Sequence, residues 1–163
     1  MTLSTDIDLL NEICRRELIG RVILKIRWAF AERLNLYFDS PIGTRVALYL
    51  GPIEWTLVDI STNQNLISTK KQSFDVYSLA VEQLMGATIV GFTVSASNDL
   101  SLSLDFDTGM RLRTEPCGSG PEDNLDDCWS LSCQDDNVII VGAQQGRWGR
   151  IHKDQSWGDI LKG

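Results

Sequence analysis

Leu100–Thr114 reads LSLSLDFDTGMRLRT. Leu100, Leu102, Leu104 and Phe106 alternate with Ser101, Ser103 and Asp105, giving one apolar and one polar face, the period-2 pattern of a half-buried strand. Asp107-Thr108-Gly109 supplies a turn, and Met110, Leu112 and Thr114 resume the alternation on the return. The stretch therefore predicts an antiparallel hairpin. Its pattern occurs twice in the chain. Leu34-Asn35-Leu36-Tyr37-Phe38-Asp39, followed by Gly43, matches Leu102-Ser103-Leu104-Asp105-Phe106-Asp107, followed by Gly109.

Outward from this hairpin, the chain alternates helix and meander. Ile7, Leu10, Ile13, Cys14 and Leu18 fall at 3–4 spacing and predict a helix over 5–19, capped by Thr5 or Asp6 and stopped at Gly20. Residues 21–29 predict a strand with Val22, Leu24, Ile26 and Trp28 on one face and Ile23 out of phase. Further strands are expected at 34–38, 44–50, 54–60 and 66–69. Gly51-Pro52 separates two of them, because proline cannot donate to a ladder. A second helix is expected from a cap at Ser73 or Asp75 to Met85, with Val76, Leu79, Ala80 and Leu84 inward and Gly86 as its stop. A strand at 87–95, with a bulge marked by Gly91, leads into the hairpin. Strands at 128–133 and 138–141 follow a long loop, and the remainder carries Trp148 and Trp157 as anchors.

Set side by side, the two stretches of chain agree. Gly20 matches Gly86, Phe38 matches Phe106, and Trp55-Thr56-Leu57 matches Trp129-Ser130-Leu131, at offsets of 66, 68 and 74 residues. A period this long is not that of a solenoid repeat. The reading is an α+β fold: one compact domain over 1–163, built of two duplicated helix-plus-antiparallel-meander halves, 5–69 and 73–142, with a C-terminal tail at 143–163. The helices are expected to pack on the apolar faces of the sheets.

The chain has 163 residues, enough for a substantial core, and ordinary proportions of hydrophobic (43%) and charged (23%) residues. No apolar run reaches the ~20 residues that span a bilayer. The N-terminus lacks the basic and apolar regions of a secretory signal. The four cysteines, Cys14, Cys117, Cys128 and Cys133, are too scattered for a disulfide framework. A cytoplasmic location with reduced thiols is therefore expected. The net charge of −7 is local. Between Arg113 and Arg147 there is no Lys or Arg, and Glu115, Glu122, Asp123, Asp126, Asp127, Asp135 and Asp136 equal the whole excess of acid. Such a region argues against binding a nucleic-acid backbone.

No motif for catalysis emerges. His152, the only histidine, has no nucleophile at a telling spacing, and the cysteines lack the close pairs of a zinc site. Asp105 and Asp107 lie on the polar face of a meander and beside a turn, where solubility and turn formation explain them. Gly142-Ala143-Gln144-Gln145-Gly146 lacks the lysine of a phosphate loop. The expectation is thus a non-enzymatic protein with no cofactor, no metal and no catalytic residues. The acidic interval reads as a docking surface for a basic partner, through Glu122, Asp123, Asp126, Asp127, Asp135 and Asp136, with Trp129 and Leu125 as apolar anchors.

Leu102-x-Leu104-x-Phe106-x-x-Gly109-x-x-Leu112, then Trp129-x-Leu131 and an apolar strand ending at Gly142, resembles a group of small bacterial domains with immunity-protein-like members, encoded beside polymorphic or contact-dependent toxins. The resemblance covers mainly 86–142, with an echo in 20–60, and the insertion at 115–127 departs from the group's compact spacing. It implies a non-enzymatic immunity-type protein that neutralises a cognate toxin, and with the acidic interval and the lack of a spanning segment the expected partner is a basic toxin, with neither membrane nor nucleic acid. The alternative is a ligand-binding or scaffold module that uses the cleft between the two halves.

Overall fold

The computed structural model describes residues 4–40, 45–51, 53–95, 100–116, 128–142 and 147–154. Helix α1 (Ile7–Leu18) begins at Asp6, whose carboxylate accepts from the Leu9 N–H at 3.0 Å, and carries Arg15 and Arg16 in its last turn. Strands β1 (Ile23–Ala29), β2 (Arg33–Phe38), β3 (Val46–Leu50), β4 (Trp55–Asp59) and β5 (Gln64–Ser68) follow. Helix α2 (Phe74–Glu82) then precedes β6 (Ile89–Val94), β7 (Leu102–Phe106), β8 (Met110–Thr114), β9 (Trp129–Ser132), β10 (Asn137–Val141) and β11 (Trp148–His152). The expected α+β class holds: among the described residues, two helices accompany two sheets whose strand pairs are all antiparallel.

The six-stranded sheet has the order β1-β2-β3-β9-β10-β11, and the five-stranded sheet β5-β4-β8-β7-β6. Each sheet thus draws strands from both stretches compared above. β3 takes β9 as its neighbour, with Leu48 opposite Leu131 and Leu50 opposite Trp129. β8 takes β4, with Leu112 opposite Leu57 and Thr114 opposite Trp55. The chain therefore changes sheet twice, after β3 and after β8. The tail contributes β11, which pairs with β10 from Asn137–His152 to Val141–Trp148.

Bulges reset the alternation of β1 and β6: the one in β1 corrects the predicted phase, and the one in β6 falls where Gly91 marked it. In β1, Ile23 opposes Phe38 and Lys25 opposes Tyr37, so Leu24 is an extra residue. Ile23 is then buried with Ile26 and Trp28 on its side, and Leu24 is 59% exposed. In β6, Ile89 opposes Phe106 and Gly91 opposes Asp105, which makes Val90 the extra residue, at 56% exposure. A bulge shifts alternation by one, and strict period-2 counting misplaces everything before it.

The starts of these two strands also pair with each other. The Gly20 N–H donates to the Ile89 carbonyl (2.8 Å) and the Gly86 N–H to the Ile23 carbonyl (2.9 Å). Ile23 N–H donates to Ala87 (3.0 Å) and Ile89 N–H to Arg21 (2.8 Å). Val22 and Thr88 face each other across this seam. Asp39 caps it on one side, accepting from the Val22 N–H at 2.7 Å, and Asp107 on the other, accepting from the Thr88 N–H at 3.0 Å. Gly20 and Gly86 take φ of +85° and +80°, which lets the chain leave each helix and turn directly into the seam.

The inward faces of both sheets and both helices share one core cluster, including Leu10, Leu18, Leu36, Leu48, Leu57, Val81, Leu104, Phe106, Leu112 and Leu131. Asn11 fixes α1 to β6, accepting from the Val94 N–H at 2.7 Å and donating to its carbonyl at 3.3 Å. In α2 the buried residues are Tyr77 and Val81, whereas Val76 and Leu79 are 46% and 63% exposed, contrary to the predicted stripe. The reason is aromatic packing. Tyr77 sits edge-on to Trp55 at 5.4 Å and tilted against Trp28 at 5.8 Å, and Phe74 closes the cluster edge-on to Trp28 at 5.0 Å.

Candidate functional site

Trp129, expected as an apolar anchor for a partner, lies instead in the core. It is fully buried in β9, edge-on to Phe92 at 6.1 Å, and its indole N–H donates to the Leu100 carbonyl at 3.0 Å. Pairing β9 with both β3 and β10 places this strand inside the sheet, so Trp129 presents no surface to a partner. Glu122, Asp123, Leu125, Asp126 and Asp127 lie outside the described residues.

Asp135 and Asp136 form the turn between β9 and β10. Asp135 accepts from the Asn137 N–H at 3.1 Å and from Arg150 at 2.5 Å. Lys153 Nζ lies 3.4 Å from the Asp136 carboxylate. These two acids therefore have counter-charges, which corrects the expectation of an uncompensated cluster at this turn. The sequence interval holds no base, but the β10–β11 hairpin folds Arg150 and Lys153 back beside it. Burial works to raise the Asp135 carboxyl, but the Asn137 and Arg150 hydrogen bonds outweigh it and hold the group below its usual value.

Cys133 lies beside this turn, with Glu17, Cys133 and Asp135 offering ligand atoms within 4.8 Å of one another. Burial, reinforced by Glu17 and Asp135, pushes the Cys133 thiol up to about 12, and burial raises Cys14 as well. A protonated thiol is a poor ligand and a poor nucleophile. Glu17 is engaged as acceptor for the Gln134 N–H at 3.2 Å. The chemistry here is that of a hydrogen-bonded turn. His152 Nδ1 lies 3.3 Å from the Asp154 carboxylate at the end of β11.

One concavity, of about 490 Å³, lies at this turn, lined by Cys133, Asp136 and Lys153 with Arg45 and Tyr49, and two more lie at the bulges. One cleft, of about 480 Å³, runs between the end of α1 and the outward face of β6–β8. Asp105 sits at its floor and accepts two hydrogen bonds from Arg111, at 2.6 and 3.0 Å, directly across the β7–β8 ladder. The Asp105 hydrogen bond, partly opposed by burial, raises Arg111 further. Arg15 donates to the Phe92 carbonyl at 2.8 Å. A Cβ at Gly91 would lie 3.2 Å from the Asp105 side chain, a tight contact that a side chain here would have to relieve.

The other cleft, of about 430 Å³, occupies the same position beside the β1 bulge. Lys25 and Tyr37 stand opposite each other there, as Gly91 and Asp105 do in the first. Leu24, Arg27, Ser40 and Arg45 complete the polar and apolar rim, and the Arg45 guanidinium lies over the Tyr37 ring at 5.4 Å. Sequence reading missed both clefts. The only signal for them was the out-of-phase Ile23 and the interrupting Gly91. No family model, curated protein or solved structure matches the chain.

Proposed function

We propose that this chain is an immunity-type binding protein of the bacterial cytoplasm, which neutralises a basic toxin domain through acids carried on its second crossover. One observation carries the reading. Crossing from β3 to β4 takes residues 51–54, four positions, whereas the corresponding crossing from β8 to β9 takes 115–128, fourteen. Four residues suffice for the first crossing, so the second is longer by ten positions. It holds Glu122, Asp123, Asp126 and Asp127 and no Lys or Arg. A concentrated negative surface steers a cationic partner and raises its on-rate.

The same reading treats the body as a tandem duplication with exchanged strands. The matching bulges, the reciprocal seam bonds and the twin crossovers support it, each relating one stretch of chain to the other by an offset near those read from the sequence. The test is a binding titration with the toxin domain encoded by the adjoining gene, at low and high salt. The expected result is a salt-sensitive complex weakened at least tenfold when Asp123, Asp126 and Asp127 are changed to Asn. Affinity indifferent to both salt and these changes would remove the electrostatic mechanism. A second reading, a ligand module in the space between the halves, draws on the 480 Å³ cleft between α1 and β6–β8. A small molecule co-purifying there would favour it.

A further inference from the structure

The two bulge clefts share a backbone arrangement and differ in how their cations are compensated. In the cleft at β6, every named cation has an acceptor: Arg111 has the Asp105 carboxylate, and Arg15 has the Phe92 carbonyl. In the cleft at β1, Lys25, Arg27 and Arg45 line one concavity, and among the described residues no carboxylate lines it with them. Tyr37 occupies the ladder position that Asp105 holds in the other cleft, and Lys25 the position of Gly91. Ser40 adds a buried hydroxyl that has no hydrogen-bond partner. Three cations gathered at one recess repel one another, and this recess belongs to a chain whose net charge is −7. The molecule therefore spends like-charge repulsion at a site where its counterpart carries an internal salt bridge.

We infer that the β1 cleft binds a small oxyanion ligand, a phosphate monoester or a carboxylate, whose anionic group takes the place of the missing Asp105 counterpart between Lys25, Arg27 and Arg45. Arginine offers a planar fork suited to either oxyanion, and lysine adds a point charge. The volume of about 430 Å³ is that of a small-molecule site rather than a protein interface. Exposed Leu24 gives the rim an apolar edge for the body of the ligand. The face of Tyr37 is already covered by Arg45, so recognition is by charge and hydrogen bonding, not by ring stacking. The inference is independent of the acidic crossover and of any toxin.

The test is calorimetric titration of the full chain at low salt with inorganic phosphate, AMP and citrate, which separate phosphate from carboxylate chemistry. Saturable binding of at least one is expected. Lys25→Gln with Arg27→Gln should weaken it tenfold or more, and Tyr37→Asp, which supplies the acid from within, should abolish it. Asp105→Asn with Arg111→Gln, in the other cleft, should leave it unchanged. Because Lys25 and Arg27 are exposed and ion-pair with nothing among the described residues, the first variant keeps its fold, as a thermal melt will verify. Binding of none of the three probes, binding untouched by the β1-cleft variants, or equal loss in the control variant would each overturn the assignment.

Discussion

Single side chains decide how tightly the two sheets hold together. Trp129 spans from β9 to the Leu100 carbonyl, and Leu100 is held at φ +50° to present that oxygen. Trp129→Phe removes a donor to a buried carbonyl and opens a small void, so we expect a loss of about 1–3 kcal/mol, read as a lower urea midpoint with unchanged m-value. On α2, Tyr77 packs against Trp28 of one sheet and Trp55 of the other, and its hydroxyl donates to the Glu32 carboxylate at 2.8 Å. Burial, then the Glu32 bond, pushes the Tyr77 phenol from 10.0 up to about 12. The folded state thus favours the protonated phenol. Its contribution to stability is complete below pH 10 and is lost as pH climbs from 10 towards 12. The Tyr77→Phe variant lacks this contribution, so chemical denaturation at pH 8 should find it weaker than the parent, with the gap closing by pH 12. The Trp-x-Leu likeness of Trp55 and Trp129 was readable in the sequence. That Trp129 is core rather than a partner's anchor was not, because its acceptor lies far away at Leu100 and only the tertiary fold brings them together.

At the scale of elements, the aspartate ending the Leu-x-Leu-x-Phe-Asp motif has a duty that turn chemistry did not suggest. Asp39 and Asp107 each reach back to the N–H of the residue just before the preceding strand, Val22 and Thr88. Asp39 is the more enclosed of the two. Asp39→Ala should cost about 1–2 kcal/mol and Asp107→Ala about half that, measured by thermal or urea unfolding; the reverse order would contradict the seam as described. The element inventory was largely legible, since alternation at 34–38, 102–106 and 110–114 survives intact into β2, β7 and β8. Three things were not. The bulge at Leu24 reset the parity of β1, whereas Gly91 had marked the one in β6. The inward side of α2 was set by an aromatic cluster whose other members, Trp28 and Trp55, belong to distant strands. β11 escaped notice because Trp148 and Ile151 are both buried although they lie on opposite faces of the strand, which erases alternation. The clefts were not legible because their walls come from residues distant in sequence.

At the scale of the whole molecule, exchanged strands make each stretch depend on the other. Without β9, β3 lacks its inner neighbour, and without β4, β8 lacks its own. Fragments 1–70 and 71–163 should therefore be largely unfolded alone by circular dichroism and should recover native strand signal when mixed at equal concentration. A stable, cooperatively melting fragment would contradict this mutual dependence. The exchange also imposes an order in time. As the chain emerges from synthesis, β4 is already present when β8 appears, so the five-stranded sheet has all its members once Thr114 is made. β3 has no such partner waiting. Leu48 must await Leu131, 83 residues later, an interval of about 4–17 s at roughly 5–20 residues per second. During those seconds the apolar edge of β3 is an open template for pairing with another chain. The long crossover lengthens that exposure, so newborn chains, rather than finished ones, are where this architecture is most prone to aggregate.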